Sequence, residues 1–418
     1  DGVCEAVESV ADTTPSLKWK FIVNGERDGW MNYDAMYGNF SPEFARPENQ
    51  KSTDPMLIFF SSGTTGYPKM VEHDHTYPLG HIMTARHWHK VNPNGLHLTV
   101  ADTGWAKSMW GKLYGAWLCE AAIFVYDFDR FDAADILPMF EKYKITTFCA
   151  PPTMLRMMVK QDISKYDFSS VQHMTTAGEA LNGEVLNKWL EKTGKKIYEG
   201  YGQTESTIIC GNFLEFNEIR PGSMGKPNPL YKVEVLNPNN KPVPAGEVGE
   251  LCIHVEDGRP FGLLMGYHKD VVLTADAFDG GVYHTGDNVY QDEDGYVWFV
   301  GRKDDIIKTA GYRVSPFEVE SILQQHPAVM ECAVTGVEDK KRGQAVKATI
   351  VLSPGYEASH DLEVELFDFV KSETALYKSP RIIEFVKELP KTVSGKIRRV
   401  EIREKDKGKA AEKIKQDF

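Results

Sequence analysis

The sequence lacks a long hydrophobic stretch. Among its 418 residues no apolar run reaches the roughly 18–20 residues that a membrane-spanning helix requires, and the best candidate, at 115–126, is interrupted by Glu120. We therefore expect no membrane span. An excess of basic residues is also lacking: the net charge is −12, which argues against a nucleic-acid-binding protein. The hydrophobic share of 42% and charged share of 26% are typical of a globular protein rather than a fibrous or disordered one.

Cysteine is scarce, and its spacing excludes two common uses. The six cysteines include no CxxC pair, so the pattern predicts neither a zinc site nor a disulfide framework. They are Cys4, Cys119, Cys149, Cys210, Cys252 and Cys332. Buried free thiols are typical of a reducing compartment, so we expect a cytoplasmic protein.

Alternation of short β-forming runs with helical segments predicts an α/β fold with a largely parallel sheet in the first half of the chain. After about residue 218, strands separated by glycine, proline and asparagine turns predict a β-rich subdomain at about 219–303. A further α+β unit begins near Asp304, and Ser315 followed by Pro316 marks the start of its first helix. We therefore expect a large N-terminal domain, 1–303, and a small C-terminal domain, 304–418.

Two familiar nucleotide-binding motifs are missing, but a third kind of loop is present. Neither GxxxxGK[ST] nor GxGxxG occurs, which disfavours P-loop NTPases and classical dehydrogenases. The segment SSGTTGYPK at 61–69 follows a predicted buried strand and combines flexible glycines, hydroxyl groups and a lysine. Such a loop can hold a polyphosphate through its backbone N–H groups, although a simple polar turn is the alternative.

Four more loops carry groups that suit a nucleotide. Tyr201 could stack on a base, Thr204 could bind a phosphate oxygen, and Glu205 offers the oxygen ligands that Mg²⁺ prefers. The motif TGD at 285–287 offers a carboxylate for a ribose, GRKDD at 301–305 a guanidinium, and TVSGK at 392–396 a lysine in a flexible loop.

Taken together and in this order, these segments resemble the motifs of the adenylate-forming superfamily, which includes acyl-CoA synthetases, peptide-synthetase adenylation domains and luciferases. The matching segments are SSGTTGYPK at 61–69, YGQTE at 201–205, YHTGD at 283–287, GRKDDIIK at 301–308, GYR at 311–313 and SGK at 394–396. The segments at 66–73, 101–105 and 308–313 are most similar to acyl-CoA synthetases of the acetyl and medium-chain type.

The resemblance implies a large α/β core with a small mobile C-terminal domain and an acid–thiol ligase activity. A short, branched or medium-chain carboxylic acid would attack Mg·ATP to give acyl-AMP and pyrophosphate, and CoA would then displace AMP. The resemblance implies these ATP- and AMP-binding residues: Ser61, Ser62, Gly63, Thr64, Thr65, Gly66, Lys69, Gly178, Glu179, Ala180, Glu199, Gly200, Tyr201, Gly202, Gln203, Thr204, Asp287, Arg302, Arg313 and Lys396.

Other roles follow from the same resemblance. Catalysis would fall to Lys396, which neutralises charge in the transition state, with Thr204, Glu205 and Arg313. Glu205 would bind Mg²⁺, and Asp304 would be the hinge about which the C-terminal domain rotates between the two half-reactions. The CoA-binding residues would be Ala310, Gly311 and Tyr312.

Four side chains are candidates for the acyl pocket: Trp88, Trp105, Lys107 and Trp110. Three indoles would leave a short pocket, although ordinary core packing is the alternative for each tryptophan, and Lys107 could instead lie on the surface. Six of the twelve histidines fall between His73 and His97, but no framed zinc spacing occurs there, so we expect no metal cluster; His73 or His75 could instead lie near the phosphate loop.

Two rival functions and one structural expectation complete the sequence analysis. The adenylate could pass to a carrier-protein thiol or an amine, or the chain could be a non-catalytic nucleotide-binding regulator. Intact Thr204, Glu205, Asp287, Arg302 and Lys396 argue against loss of catalysis. Only 60 residues precede the phosphate loop and the first residue is Asp1, so we expect a fragment or processed chain that lacks the first part of the family's core. Small molecules are the expected partners, and homo-oligomerisation is left open.

Overall fold

A computed structural model describes residues 2–61, 68–101, 103–128, 131–179, 181, 183–215, 218–391 and 397–407. The chain divides into two compact units, Asp1–Lys51 and Ser52–Phe418. The α-helices of the described residues are α1 (Gly2–Ala11), α2 (Tyr33–Met36), α3 (Tyr77–Ile82), α4 (Ala106–Lys112), α5 (Tyr114–Leu118), α6 (Ala133–Tyr143), α7 (Pro152–Val159), α8 (Gly183–Thr193), α9 (Val271–Ala277), α10 (Pro316–Leu323), α11 (His360–Glu373) and α12 (Arg399–Lys407). None of them has the length and apolar character needed to cross a membrane.

The strands follow the same order along the chain. They are β1 (Phe21–Ile22), β2 (Met31–Asn32), β3 (Pro55–Ser61), β4 (Lys69–Asp74), β5 (Leu96–Thr99), β6 (Ala122–Ile123), β7 (Thr147–Cys149), β8 (His173–Thr176), β9 (Ile197–Gly202), β10 (Ile208–Gly211), β11 (Lys226–Pro227), β12 (Val233–Leu236), β13 (Val248–His254), β14 (Gly266–Tyr267), β15 (Val282–Gln291), β16 (Val297–Arg302), β17 (Ile307–Thr309), β18 (Tyr312–Val314), β19 (Val329–Asp339), β20 (Gly343–Leu352) and β21 (Ile382–Phe385).

The first unit is small and is held by one carboxylate. The Glu8 carboxylate on α1 accepts hydrogen bonds from Arg27 at 2.6 and 2.7 Å and from the Trp30 indole at 2.8 Å. These contacts join α1 to the segment between β1 and β2, which pair in parallel. The Arg27 and Trp30 hydrogen bonds lower the pKa of Glu8 to about 2, so the carboxylate keeps its charge in mildly acidic as well as neutral solution.

A seven-stranded sheet forms the centre of the second unit, as the α/β prediction requires. Its strand order is β11-β10-β9-β8-β7-β5-β6, and the run from β6 to β9 is parallel. Phe140, Phe148 and Trp189 are almost fully buried in its core, where each such side chain contributes roughly 1.5–3 kcal/mol. Helix α6 begins where the Asp132 side chain accepts the Ala134 N–H and ends at Lys144 in the left-handed conformation.

Two antiparallel sheets flank the nucleotide motifs. The sheet β12-β13-β15-β16 contains the antiparallel hairpin of β15 and β16, and a smaller sheet pairs β14, β4 and β3. The segment at 62–67 that joins β3 to β4 lies outside the described residues. Because β3 and β4 form a hairpin, the two ends of the predicted phosphate loop, Ser61 and Lys69, pair directly.

The C-terminal part has its own sheet and core. Strands β18, β17, β20 and β19 pair antiparallel, and β21 adds to β20 in parallel. Helix α10 starts as predicted: the Ser315 hydroxyl accepts the Glu318 N–H at 3.1 Å, and Pro316 occupies the first helical turn. Arg399 at the start of α12 binds Glu320 on α10, so the last described helix is tied to the first helix of this region.

Candidate active site

The nucleotide motifs meet at one edge of the central sheet. Gly178 and Glu179 come shortly after the end of β8. Gly202 is the last residue of β9, which is parallel to β8, and Gln203 follows it. Carboxyl ends of parallel strands lie at the same edge of a sheet, which is where open α/β sheets bind ligands. Gly178 has φ +107°, and a Cβ added there would meet no described atom within 4 Å, so this backbone borders open space.

Asp287 is the centre of the site. Its carboxyl is almost fully buried and accepts hydrogen bonds from the Tyr201 hydroxyl, from Gln203 Nε2 at 2.7 Å and from Arg302 Nη1 at 3.2 Å. Burial raises the pKa of Asp287, although these same donors and the Arg302 charge favour the ionised form. Residues from two other stretches of sequence are thus brought to this carboxylate, as the motifs predict.

The backbone around Asp287 is also held. The Thr285 carbonyl accepts from Gln203 Nε2 at 2.8 Å and from Arg302 Nη1 at 3.1 Å, and Asp287 and Arg302 face each other across β15 and β16. Gly286, which lies between Thr285 and Asp287 in the chain, has φ +73°, and a Cβ there would lie 3.1–3.3 Å from the Arg302 guanidinium. A glycine is therefore needed at this position for both conformation and space.

Glu199 is a buried carboxylate with a local structural task. It accepts the Gly222 N–H at 2.8 Å and the Leu181 N–H at 3.4 Å, which ties β9 to two loops beside the site. Burial raises its pKa to about 7, and the two N–H groups oppose that shift. Glu199 therefore holds the two loops beside the predicted adenine slot in position.

Two predicted acyl-pocket tryptophans pack against the glycines of β9. A Cβ on Gly200 would lie 2.6 Å from the Trp88 ring, and one on Gly202 would lie 2.5 Å from the Trp110 ring. Trp88 is fully buried and donates its Nε1–H to the Glu199 carbonyl at 3.3 Å. The glycines are thus required by close contact with the indoles, a reason that the motif alone does not reveal.

The other two predicted pocket residues differ in their contacts. Lys107 is not a surface residue: it is half-buried and donates to the Ala177 carbonyl at 2.8 Å, directly before Gly178. The indole N–H of Trp105 is buried without a hydrogen-bond partner in the described residues. Both residues are half-buried, and the Lys107 contact places its ammonium next to Gly178.

Glu205 and Lys69 both contact Tyr267. The Tyr267 hydroxyl donates to Glu205 Oε1 at 3.1 Å, and Lys69 Nζ lies 5.2 Å from the centre of the Tyr267 ring. The backbone carbonyl of Glu205 accepts the Leu264 N–H at 2.8 Å. A carboxylate next to the Thr204 hydroxyl is an all-oxygen donor set, which fits Mg²⁺.

Lys391 and Ile397, which flank the segment 392–396, lie on the Glu179 side of the site. Lys391 and Ile397 pair as an isolated bridge and line a small cavity of about 30 Å³ with Thr153, Arg156 and Glu179. The Thr153 hydroxyl donates to Glu179 at 3.1 Å. Seven predicted residues themselves lie outside the described residues: Ser62, Gly63, Thr64, Thr65, Gly66, Ala180 and Lys396.

The predicted CoA-binding residues lie elsewhere, on the exposed hairpin of β17 and β18. Ala310 and Gly311 form its turn with φ of +49° and +86°, and Tyr312 stacks on Tyr377 at 4.1 Å. Arg313 pairs with Lys308 in the same hairpin rather than lying in the Asp287 cluster. Asp304, the predicted hinge, has its Oδ1 3.4 Å from Arg302 Nε.

Sequence analysis missed several residues that complete the site. Tyr283 donates to Gln203 Oε1 at 2.9 Å, and Gly286 N–H donates to Glu250 at 2.9 Å. The signal was present on β15, where the side chains at 283, 285 and 287 alternate inward with the period of two that a strand imposes. The quoted motif YHTGD contained these positions, but only Asp287 received a role.

Four of the six histidines in the stretch 73–97, His73, His81, His89 and His97, are buried in the protein core, whereas His75 and His87 are half-buried. His97 lies between the Thr147 and Thr99 hydroxyls at 2.8 and 2.7 Å, and burial lowers its pKa to about 3. In the described part of the chain, one group of three side chains has metal-ligand spacing: Glu250, Cys252 and His284. There the Lys303 ammonium lies 3.1 Å from the Glu250 carboxylate, so the charge of that carboxylate is already balanced by an ion pair.

The chain is similar in sequence to mitochondrial acyl-CoA synthetases. Over 411 residues, the chain is 44% identical to human acyl-coenzyme A synthetase ACSM3, covering 97% of this chain and 70% of the relative. Human ACSM5 is 43% identical over 414 residues, covering 98% of this chain and 71% of the relative. Both relatives are named as mitochondrial, so the cytoplasmic prediction is wrong; free thiols indicate a reducing environment and cannot distinguish between compartments.

Comparison with solved structures gives the same family. The crystal structure of the anthranilate CoA ligase AuaEII in complex with anthranoyl-AMP matches with a TM-score of 0.87 and 33% identity, covering 97% of this chain and 77% of that one. The family described as AMP-binding enzyme matches residues 3–268, and its C-terminal domain matches residues 318–396. The predicted resemblance is therefore confirmed, and the chain belongs to the AMP-binding enzyme family, the adenylate-forming enzymes.

Proposed function

We propose that this chain is an AMP-forming acyl-CoA synthetase that works through an acyl-adenylate. The carboxylate of the acid attacks the α-phosphorus of ATP, the P–O bond to the leaving group breaks, and pyrophosphate departs. The CoA thiol then attacks the acyl carbonyl carbon, and AMP leaves with the electron pair of the mixed anhydride bond. The kinship with the acyl-CoA synthetases supports this reaction type, whereas the residue roles below are our assignments.

The observation that carries the proposal is the Asp287 cluster. A buried carboxylate held by Tyr201, Gln203 and Arg302 presents fixed acceptor oxygens at the edge of the sheet. Such a carboxylate suits the two hydroxyl groups of a ribose, and we assign that task to Asp287 and Arg302. The open backbone at Gly178 lies on the neighbouring strand end and leaves room for the adenine, with Glu179, Glu199 and Tyr201 around it.

We assign the phosphates to the hairpin of β3 and β4 and to Thr204. The loop at 61–69 would hold the β- and γ-phosphates through its N–H groups and Lys69. The Thr204 hydroxyl would bind a phosphate oxygen, and Glu205 would hold Mg²⁺, which supplies charge neutralisation at the phosphates when bound. Tyr267 keeps the Glu205 carboxylate next to the Lys69 side of the site.

We assign transition-state stabilisation to Lys396. A lysine ammonium between the attacking carboxylate and the α-phosphate offsets the negative charge that builds on phosphorus. The contact of Lys391 and Ile397 with the Glu179 side supports this role, because these residues flank the loop. Rotation about Asp304 would then bring the hairpin of Ala310, Gly311 and Tyr312, with Arg313, to the CoA thiol for the second half-reaction.

The acyl group would lie against the indoles next to β9. Trp88 and Trp110 fill the space below Gly200 and Gly202, and Trp105 lies nearby on the preceding segment. A site bounded by these rings leaves little depth, so we assign short, branched or medium-chain acids as substrates. Activity across an acid series tests this assignment, and a best substrate of about sixteen carbons would contradict it.

Pyrophosphate release tests the reaction itself. With Mg·ATP and a medium-chain acid, we expect one equivalent of pyrophosphate per enzyme without CoA and continuous release with CoA. Continuous release without CoA, with an amine or a carrier protein as acceptor, would favour the rival acceptors. Binding of ATP with no pyrophosphate under either condition would favour the non-catalytic regulator.

A further inference from the structure

One buried histidine links the two segments to which we assign the phosphates. His73 lies on β4, the strand that follows the segment 61–69, and its Nε2 is 2.9 Å from the main-chain carbonyl oxygen of Thr204. A carbonyl oxygen can only accept a hydrogen bond, so Nε2 carries the proton and donates. This contact spans 131 positions of sequence and meets the backbone immediately before Glu205.

The ring of His73 is held in one orientation and one charge state. It is fully buried, with the Tyr77 ring 4.0 Å and the Phe59 ring 5.8 Å from its centre. Burial lowers the pKa of His73 to about 4, although the Thr204 contact opposes that shift. The side chain is therefore neutral at physiological pH and acts as a fixed N–H donor.

Other contacts hold the same segment from the opposite side. The Glu205 carbonyl accepts the Leu264 N–H at 2.8 Å, and the Glu205 side chain is bound by Tyr267 on β14, which itself pairs with Val71 on β4. Two successive carbonyls, those of Thr204 and Glu205, are thus fixed. Since His73 and Tyr267 are both anchored to β4, this strand determines where the Thr204 and Glu205 side chains lie.

We propose that His73 is a positioning residue for ATP activation: its Nε2–H fixes the Thr204 backbone, and so aims the Thr204 hydroxyl and the Glu205 carboxylate at the phosphates and Mg²⁺. The inference rests on the proposed function. Without the donor, the Thr204 carbonyl loses this partner and the segment shifts to find another. Loss of a supporting hydrogen bond of this kind typically lowers metal affinity or activity by about 10- to 100-fold.

Three substitutions separate positioning from simple core packing. His73→Phe keeps an aromatic ring between Phe59 and Tyr77 but removes the N–H, whereas His73→Gln places an amide N–H near the position of Nε2. His97→Phe is the matched control, because His97 is equally buried and contacts only Thr147 and Thr99 through its hydrogen bonds. For each variant, thermal unfolding, calorimetric binding of ATP at several Mg²⁺ concentrations, and kcat and KM for Mg·ATP are measured.

We expect His73→Phe to weaken Mg²⁺-dependent ATP binding and to lower kcat/KM for Mg·ATP by about 10- to 100-fold, with His73→Gln recovering most of both. His97→Phe should lower the melting temperature without changing the Mg²⁺ dependence. A normal Mg²⁺ dependence in His73→Phe, or equal losses in the phenylalanine and glutamine variants, would overturn the inference. Wild-type protein that makes no acyl-CoA would instead overturn the proposed function, so the two failures are distinguishable.

Discussion

Among the buried carboxylates of the described residues, Glu320 and Asp287 are each paired with an arginine, and these two pairs differ in how many of the carboxylate contacts the arginine makes. In the C-terminal part, Arg399 grips Glu320 with Nε and Nη2 at 2.6–3.0 Å, and Glu320 also accepts the Val334 N–H at 2.7 Å. At the candidate site, Arg302 makes one contact of 3.2 Å to Asp287, and neutral donors from Tyr201 and Gln203 complete the coordination. Arg302 leaves 39% of its side chain exposed, against 24% for Arg399.

The comparison shows how an ion pair that joins two helices, Arg399–Glu320, differs from Arg302–Asp287, the pair to which we assign ligand binding. The planar guanidinium of Arg399 matches the Glu320 carboxylate edge to edge, which supports a helix contact and leaves little for a ligand. Arg302 is partly exposed, and the carboxylate beside it is also held by the uncharged Tyr201 and Gln203 side chains. This pair can therefore bind the hydroxyl groups of a ligand while the Asp287 side chain stays in place. The first pair should therefore matter for stability and the second for catalysis.

The largest expected effect comes from the residue that the C-terminal part would bring to the nucleotide. Lys396→Ala should lower the rate of acyl-AMP formation by about 10²–10³-fold or more, because the transition-state charge loses its stabilising ammonium. Thioester formation from supplied acyl-AMP and CoA should remain near the wild-type rate. Separate assays of the two half-reactions check this prediction, and an equal loss in both would contradict the assigned role.

Breaking the closed pair should mainly lower stability. Arg399→Met leaves the buried Glu320 carboxylate without its cation and should cost about 3–5 kcal/mol in the free energy of unfolding. The double variant Arg399→Met/Glu320→Met should recover most of that loss, because no charge is then left buried. Denaturant unfolding measures both, and a double variant no more stable than the single one would show that the pair is not the source of the loss.

Breaking the open pair should mainly lower activity. Asp287→Asn removes the ribose acceptor charge and should lower kcat/KM for ATP by about 100-fold, because the nucleotide is misplaced. Burial disfavours the charged form of Asp287, so the neutral amide should change the free energy of unfolding little. ATP kinetics and denaturant unfolding of the same preparation test the split, and a stability loss as large as that of Arg399→Met would erase the difference between the two pairs.

The smallest expected effect concerns acid stability beside the open pair. Burial opposes ionisation of Glu250, but the His284 and Lys303 contacts outweigh it and lower its pKa to about 2 from 4.5. The folded-state pKa is the lower one, so Glu250 stabilises the fold above pH 4.5, and this contribution, of order 2 kcal/mol, is lost as the pH falls toward 2. Unfolding of wild type and Glu250→Gln between these pH values measures it, and parallel curves would contradict the prediction.

Local sequence patterns predicted the elements and the chemistry better than the contacts between them. Ser315, Pro316 and the spacing of the motifs are local signals, and they correctly indicated helix α10 and the convergence of Tyr201, Gln203, Asp287 and Arg302.

The missed features all depend on pairs distant in sequence. Nothing in the spacing of Gly200 indicates that the Trp88 ring presses on it, nor that His73 meets Thr204. A single sequence gives the period of a strand and the turn residues, but not which strand lies beside which. Glu250 was overlooked for the same reason, since its partner Gly286 lies 36 residues away.

The position of Arg302 has a mechanical consequence. One guanidinium contacts both Asp287 and Asp304, at 3.2 and 3.4 Å, and the chain between Arg302 and Asp304 is only one residue long. On our assignments, a sugar that drew this guanidinium inward would therefore pull on Asp304, the hinge of the C-terminal domain. Binding and release of the nucleotide would then be coupled to the hinge directly, through the Arg302 side chain alone.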